Sequence, residues 1–187
     1  MKSKVLKILI ILSVSAILGC SSATKWPEFS GFLKDYKRMH RSPEFEEFFI
    51  IRHSDKRVTD YSQFMIDPVV VYLTPNADAY NANPDKLKRI ALKFHSQIKD
   101  ALGARYAVVN SPGKGVLRLR VAITDVFNVK SRDPKGLLEV EFIDTHTKKP
   151  VAAIIATDKG FVFSEFAIFL KNKLSELTRG IKVYTTE

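Results

Sequence analysis

The chain has 187 residues, with 30 basic against 20 acidic side chains and a single cysteine. That length suits one domain behind any leader, and such a domain buries roughly 70% of its unfolded surface, so it needs neither metal nor disulfide to be stable. One cysteine excludes a disulfide framework, and a basic excess scattered among acidic residues, without a long block of like charge, argues against nucleic-acid binding.

Lys2, Lys4 and Lys7 precede an apolar run, Ile8 to Leu18, which together have the form of an export leader over residues 1–19. The run is shorter than the roughly 20 apolar residues needed to cross a hydrocarbon core, so it reads as a signal peptide and not an anchor. Its removal leaves 27 basic against 20 acidic residues. The stretch Ile17-Leu18-Gly19-Cys20 resembles the lipobox of bacterial lipoproteins, which implies diacylglyceration and further acylation (the palmitate class of modification) at Cys20. Each acyl methylene contributes about 0.8 kcal/mol in a bilayer, so several chains hold a protein firmly. Ser21 after the anchor, in place of Asp, implies sorting to the outer membrane, with the domain facing the periplasm.

Residues 20–28 form a lipidated tether, and 29–187 a single periplasmic domain. In Phe29 to Tyr36, Phe32, Leu33 and Tyr36 share a helical face and read as packing residues. From Ser42 to Ile66 the pattern is ambiguous: Pro43 and Glu44 suit a helix start, while Phe48 to Arg52 reads as a buried strand. A strand should begin at or just after Pro68, with Val69 to Val71 covered on both faces. Asn83 suits an N-cap, Pro84 the first helical position and Asp85 the positive end of the dipole. Leu87, Ile90, Ala91, Phe94, Ile98, Ala101 and Leu102 form its apolar stripe, and Gly103 suits a left-handed close.

Arg105 to Val109 is the next strand and completes a βαβ unit, parallel by rule. Gly113-Lys114 lacks the glycine spacing and following helix of a phosphate loop. Asn110 to Gly115 reads as a turn that leads antiparallel into Leu117 to Phe127, where apolar residues alternate with Arg118, Arg120 and Thr124, the pattern of a central strand. A turn over Ser131 to Gly136, centred on Pro134 and Lys135, would set Phe127 opposite Phe142, Val129 opposite Val140, and Lys130 opposite Glu139 on a wet face. Val151 to Thr157, with Ala152, Ile154 and Ala156 inward, completes a three-strand meander that continues the sheet antiparallel. Phe163, Phe166, Ala167, Phe169, Leu170, Leu174 and Leu177 mark a second amphipathic helix ended by Gly180, and Ile181 to Tyr184 suits a last short strand. The fold class is therefore α/β (α+β): a βαβ unit continued by an antiparallel meander, one mixed sheet packed by two amphipathic helices.

Three stretches carry a family likeness: Ser30 to Tyr36; Tyr61 to Val69; and Pro112-Gly113 running into Val116 to Val126. In these the chain resembles the bacterial lipoproteins grouped as domain of unknown function 3313. The resemblance implies export, lipidation and a compact α/β domain, and supplies no catalytic residues. Where that family usually shows Asp followed by Thr-Gly-Glu, this chain has Asp144 and Thr147-Lys148-Lys149.

Chemistry is sparse. His40, His53, His95 and His146 are scattered, and the one thiol is assigned to lipid, so no metal or cofactor site is expected. Glu44, Glu46 and Glu47 read as an exposed helix start, and Asp67 and Asp144 as turn residues at strand ends. No GxSxG or other nucleophile motif occurs. The residues thus point to an outer-membrane lipoprotein with no catalytic residues, binding an envelope protein or an anionic envelope polymer. An envelope hydrolase or transferase with a loop-assembled site, and a structural spacer, are the alternatives.

Overall fold

In the computed structural model, which describes residues 29–179, the longest uninterrupted apolar alternation lies in the middle of the sheet. The leader, Cys20, the tether, Gly180 and the Ile181 to Tyr184 stretch lie outside the described residues. The strands are β1 (His40–Arg41), β2 (Phe48–Arg52), β3 (Gln63–Ile66), β4 (Val70–Val71), β5 (Ala107–Val108), β6 (Val116–Phe127), β7 (Lys135–Asp144) and β8 (Pro150–Val162). A 3₁₀ turn covers Val58–Asp60, and the helices are α1 (Pro84–Gly103) and α2 (Phe163–Arg179). The described strands form one mixed sheet in the order β1-β2-β8-β7-β6-β3-β5, with β4 also beside β6. It is a mixed α+β fold of one sheet and two helices, not closed into a barrel.

The βαβ unit forms, but its first strand is interrupted. β3 ends before Asp67-Pro68 and β4 resumes after it, both parallel to β6. Pro68 lacks an amide hydrogen and separates β3 from β4, which starts just after it as expected. Gln63 and Phe64 of β3 pair with Ala107 and Val108 of β5, so β5 and β6 flank β3 and run the same way. The expected antiparallel step from β5 to β6 is therefore absent. Because β5 is two residues long, the following loop steps back only about one residue along the strands, some 3.3 Å, while it crosses β3 sideways by two strand spacings, about 9.5 Å, to begin β6.

β6, β7 and β8 make the expected antiparallel meander in a different register. Leu119 lies opposite Phe142 and Val121 opposite Val140. A bulge at Thr124 sets two β6 residues against one of β7 and reverses the alternation, so Val126 and not Phe127 enters the core. Gly136, expected in the turn, belongs to β7.

Asn83 caps α1 as expected, its Oδ1 accepting from Asp85 N at 2.9 Å and Lys86 N at 3.3 Å. Gly103 stays right-handed inside the helix, and the α-helical Ala104 follows it. Leu87, Ala91, Phe94, Ile98 and Leu102 are buried. On α2, Phe163, Phe166, Ala167, Leu170 and Leu174 are buried, and Phe163 stacks on Phe94 with centroids 4.8 Å apart. Both helices cover one face of the sheet, against Leu117, Leu119, Val121, Val140, Phe142, Ala152 and Ile154.

The opposite face is not wet. Residues 29–39 form an irregular strap, without the expected helix, and Leu33 and Met39 pack there on Phe49, Ile51, Ala153 and Ile155. Tyr36 fastens the strap. Its hydroxyl donates to Glu139 Oε2 at 2.7 Å and accepts from the amides of Gly31 at 3.0 Å and Leu33 at 2.9 Å. Burial, with the Glu139 carboxylate beside it, raises the Tyr36 hydroxyl above its ordinary pKa. Gly31 sits at φ +89°, a left-handed conformation that explains a glycine in Ser30-Gly31-Phe32. Glu139, expected on a wet face, is 1% exposed.

Pro43 and Glu44 open no helix. They lie in the bend between β1 and β2, where the Ser42 hydroxyl accepts from the amides of Glu44 and Phe45. Phe48 to Arg52 is the expected buried strand.

Candidate functional site

The site is built around β4, where three features converge. Tyr72 donates its amide to Ile123 O at 2.8 Å, so Val70 and Tyr72 turn their backbone toward β6. By strand alternation, Val71 turns its N–H and C=O away from the sheet. Among the described residues no strand flanks β4 on that side. Beside this free edge lies an apolar groove of about 290 Å³, lined by Val69, Val71, Pro84, Leu87, Lys88 and Ala91. Val70 is 41% and Tyr72 47% exposed, and Leu92, one helical turn beyond Lys88, is 59% exposed. Val69 to Val71 is thus covered on one face only, contrary to expectation.

The spacing between β4 and α1 is held by Asp125. The bulge at Thr124 turns its carboxylate onto the connecting loop, where it accepts from Asp78 N at 3.1 Å and Ala79 N at 3.2 Å. Its own strand also bonds the loop, through Thr74 N to Thr124 O at 3.2 Å. Asp125→Ala leaves the two loop amides without their acceptor. Hydrogen exchange at Asp78 and Ala79 is expected to speed up about tenfold, the equivalent of one lost hydrogen bond; unchanged exchange would show that the loop is held by other means.

A second cleft lies on the strap face. Asp35, His53, Arg120, Glu141, Lys148 and Pro150 line about 130 Å³. Arg120 pairs with Glu141 across the strands and stacks over Phe32 at 4.7 Å. Burial lowers the pKa of His53, and Arg38 adds to this, while Asp35 and Glu141 oppose it. None of the residues lining it carries a hydroxyl or thiol; its polar groups are the carboxylates of Asp35 and Glu141, the His53 imidazole and the cations Lys34, Arg120 and Lys148.

Asp67 and Asp144 are more than turn residues. Asp67 receives both Nε and Nη2 of Arg118, at 2.8 and 2.7 Å, and this hydrogen bonding raises the Arg118 pKa. That pair joins the second and third stretches of the family likeness across β3 and β6. Asp144 bonds its turn as expected, and in addition takes Lys56 Nζ at 2.7 Å and the Tyr61 hydroxyl at 2.9 Å. Glu44 and Glu46 are exposed and Glu47 half-buried in the β1–β2 connection, brought to none of these sites. Of the histidines only His53 lines a described cleft, and no cluster of three metal-ligating side chains occurs among the described residues. Cys20 lies outside them.

Among solved structures, the chain is similar to the PelC dodecamer from Paraburkholderia phytofirmans, at 17% identity and a TM-score of 0.42 over 70% of this chain and 97% of that one. It is similar to a putative neuraminyllactose-binding hemagglutinin homologue from Helicobacter pylori at 11% identity and a TM-score of 0.36, covering 67% and 89%. It is also similar to a minor lipoprotein from Acinetobacter baumannii at 14% and 0.29, covering 62% and 94%. No curated protein sequence matches the chain. The family model described as protein of unknown function, DUF3313, matches residues 28–135, which takes in the strap, β1 to β6, α1 and the whole β4 groove. The chain therefore belongs to the DUF3313 family.

Proposed function

We propose that this chain is a binding module of the bacterial envelope without chemistry of its own, anchored through acylated Cys20 to the periplasmic face of the outer membrane. Its partner is a protein that lays an extended segment along β4. The observation that carries the binding reading is the pairing of the free Val71 edge with the apolar groove beneath it. An open edge demands backbone hydrogen-bonding groups in line with the sheet, which an extended peptide supplies and a helix or an acyl chain does not. The groove then takes that segment's apolar side chains, and Lys88 on the rim favours an acidic neighbour.

The test is site-specific photo-crosslinking in intact cells from position 72 and from position 92, with position 114 as a control on another surface. One and the same partner should be captured from both rim positions and not from the control. Val71→Pro removes an amide that makes no internal ladder bond, so the fold should persist while capture from position 92 falls at least about tenfold. Capture that is indifferent to Val71→Pro, or adducts that differ between the two rim positions, would overturn strand addition. The anchor is read separately by mass spectrometry of the mature amino terminus: an unmodified Cys20 thiol or an intact leader would refute it.

A further inference from the structure

Opposite the β4 groove, on the other flank of α1, the strongest concentration of unpaired charge bounding a cavity has no role in the reading above. A cavity of about 170 Å³ lies between α1, the loop after β6 and the start of α2. Lys86, Arg89, Lys93 and Arg132 line it with Asp133, and its apolar part includes Phe163. Lys93 is engaged: its Nζ donates to Asp133 Oδ1 and to Arg132 O, both at 3.2 Å. Among the described residues Lys86, Arg89 and Arg132 make no ion pair, although they converge on one cavity from two separate elements.

This placement works against the stability of the chain. Arg89 and Lys93 are like charges four residues apart on one helix, a spacing that costs about 0.2–0.5 kcal/mol. Lys86 stands in the first turn of α1, at the positive end of the dipole, where a carboxylate is the favoured residue. A fourth cation, Arg132, approaches from the loop. Repulsion gathered about a cavity is relieved when an anion enters it.

We propose that this cavity binds a phosphate or phosphomonoester group, with the apolar part of the ligand against Phe163. Two guanidinium forks and a lysine match a tetrahedral dianion better than a single carboxylate, because each fork can hold two oxygens while the ammonium adds charge without fixing direction. Four cations against one carboxylate leave an excess that a dianion largely neutralises.

The test uses the full chain in non-ionic detergent at constant ionic strength, titrated with inorganic phosphate, glycerol 3-phosphate and phenyl phosphate and followed by calorimetry. Saturable binding is expected, and the arm that binds most tightly distinguishes a free ion from a lipid-type headgroup and from an aromatic ester. The double variant Arg89→Gln, Arg132→Gln should weaken it at least about tenfold and, with repulsion removed, should melt no lower than the wild type. Arg89→Lys with Arg132→Lys keeps the charge but not the forks, and should fall between the two. The control Lys99→Gln, Lys114→Gln removes the same charge from exposed positions elsewhere and should bind as the wild type does. Equal weakening in the control, or no saturable binding of any of the three anions at millimolar concentration, would overturn the proposal.

Discussion

Asp144→Ala is expected to destabilise the domain by about 3 kcal/mol, the sum of one buried hydroxyl and two turn amides left without an acceptor. Asp144 is 3% exposed and ends β7. Its Oδ1 accepts from His146 N at 2.9 Å and Thr147 N at 3.0 Å, and its Oδ2 from Tyr61 and Lys56. Lys56 is more than half exposed, so that ion pair contributes little, and the loss falls mainly on Tyr61 and the turn. For a domain of this size the melting temperature should drop by roughly 6–12 °C. Asp144→Asn keeps an acceptor for the turn and should lose less.

The same site gives stability a pH dependence with a definite sign. Burial alone would raise the Asp144 pKa, but the Lys56 ammonium, the Thr147 and His146 amides and the Tyr61 hydroxyl together outweigh it and hold the carboxyl well below its ordinary value. The contribution is therefore fully present above the unfolded value, near pH 3.9, and is lost as pH falls through the lower folded one. Tyr61 moves the opposite way. Burial and the adjacent Asp144 carboxylate raise its hydroxyl, so its contribution is present below about pH 10 and is lost above it. The stability difference between wild type and Asp144→Ala, measured by urea unfolding across pH, should shrink below about pH 4. A difference that stays constant into acid would show that the carboxylate charge is not what holds the turn.

Gly136→Ala should be as damaging, by a different route. An added Cβ would stand 2.5 Å from Phe163 Cε1 and 2.6 Å from the carbonyl oxygen of Asp125. Gly136 does not have a positive φ, so the constraint is space and not backbone conformation. Phe163 cannot swing aside, because it is 4% exposed and stacked on Phe94, and the Asp125 carbonyl belongs to the bulged strand. Overpacking of this kind is expected to cost about 3 kcal/mol. The double variant with Phe163→Ala should lose less than the sum of the two single changes, with a coupling of about 1 kcal/mol, since removing the ring relieves one of the two collisions. A melting temperature within about 2 °C of the wild type for Gly136→Ala would mean that the strand and helix do not approach this closely.

Gly136 also shows how a residue can mislead when only its chain neighbours are known. Next to Ser131, Asp133 and Pro134 it looks like one more turn residue, yet it serves as the gap that lets α2 begin on top of β7. Glu139 misleads for a similar reason. Alternation with Leu138 and Val140 puts it on the face away from the helices, which is correct, but the cover supplied by Tyr36 comes from about a hundred residues earlier. Asp125 looks like a break in the apolar pattern of β6; it is the residue that the bulge aims at the loop before α1.

Local rules determined a good deal of this protein. The cap at Asn83, the apolar stripes of α1 and α2, the β6-β7-β8 meander and the buried strand Phe48 to Arg52 all follow from side-chain period and from backbone groups that neighbouring residues satisfy. Residues close in sequence decide such features, so the sequence contains the whole cause. What only the tertiary structure decided is how those pieces meet: β5 and β6 on either side of β3, the strap over the second face, the open edge at β4, and the cations of α1 facing Arg132 across a cavity. Each depends on groups many residues apart competing for the same space or the same hydrogen bond, and a one-dimensional pattern holds no record of which of them wins.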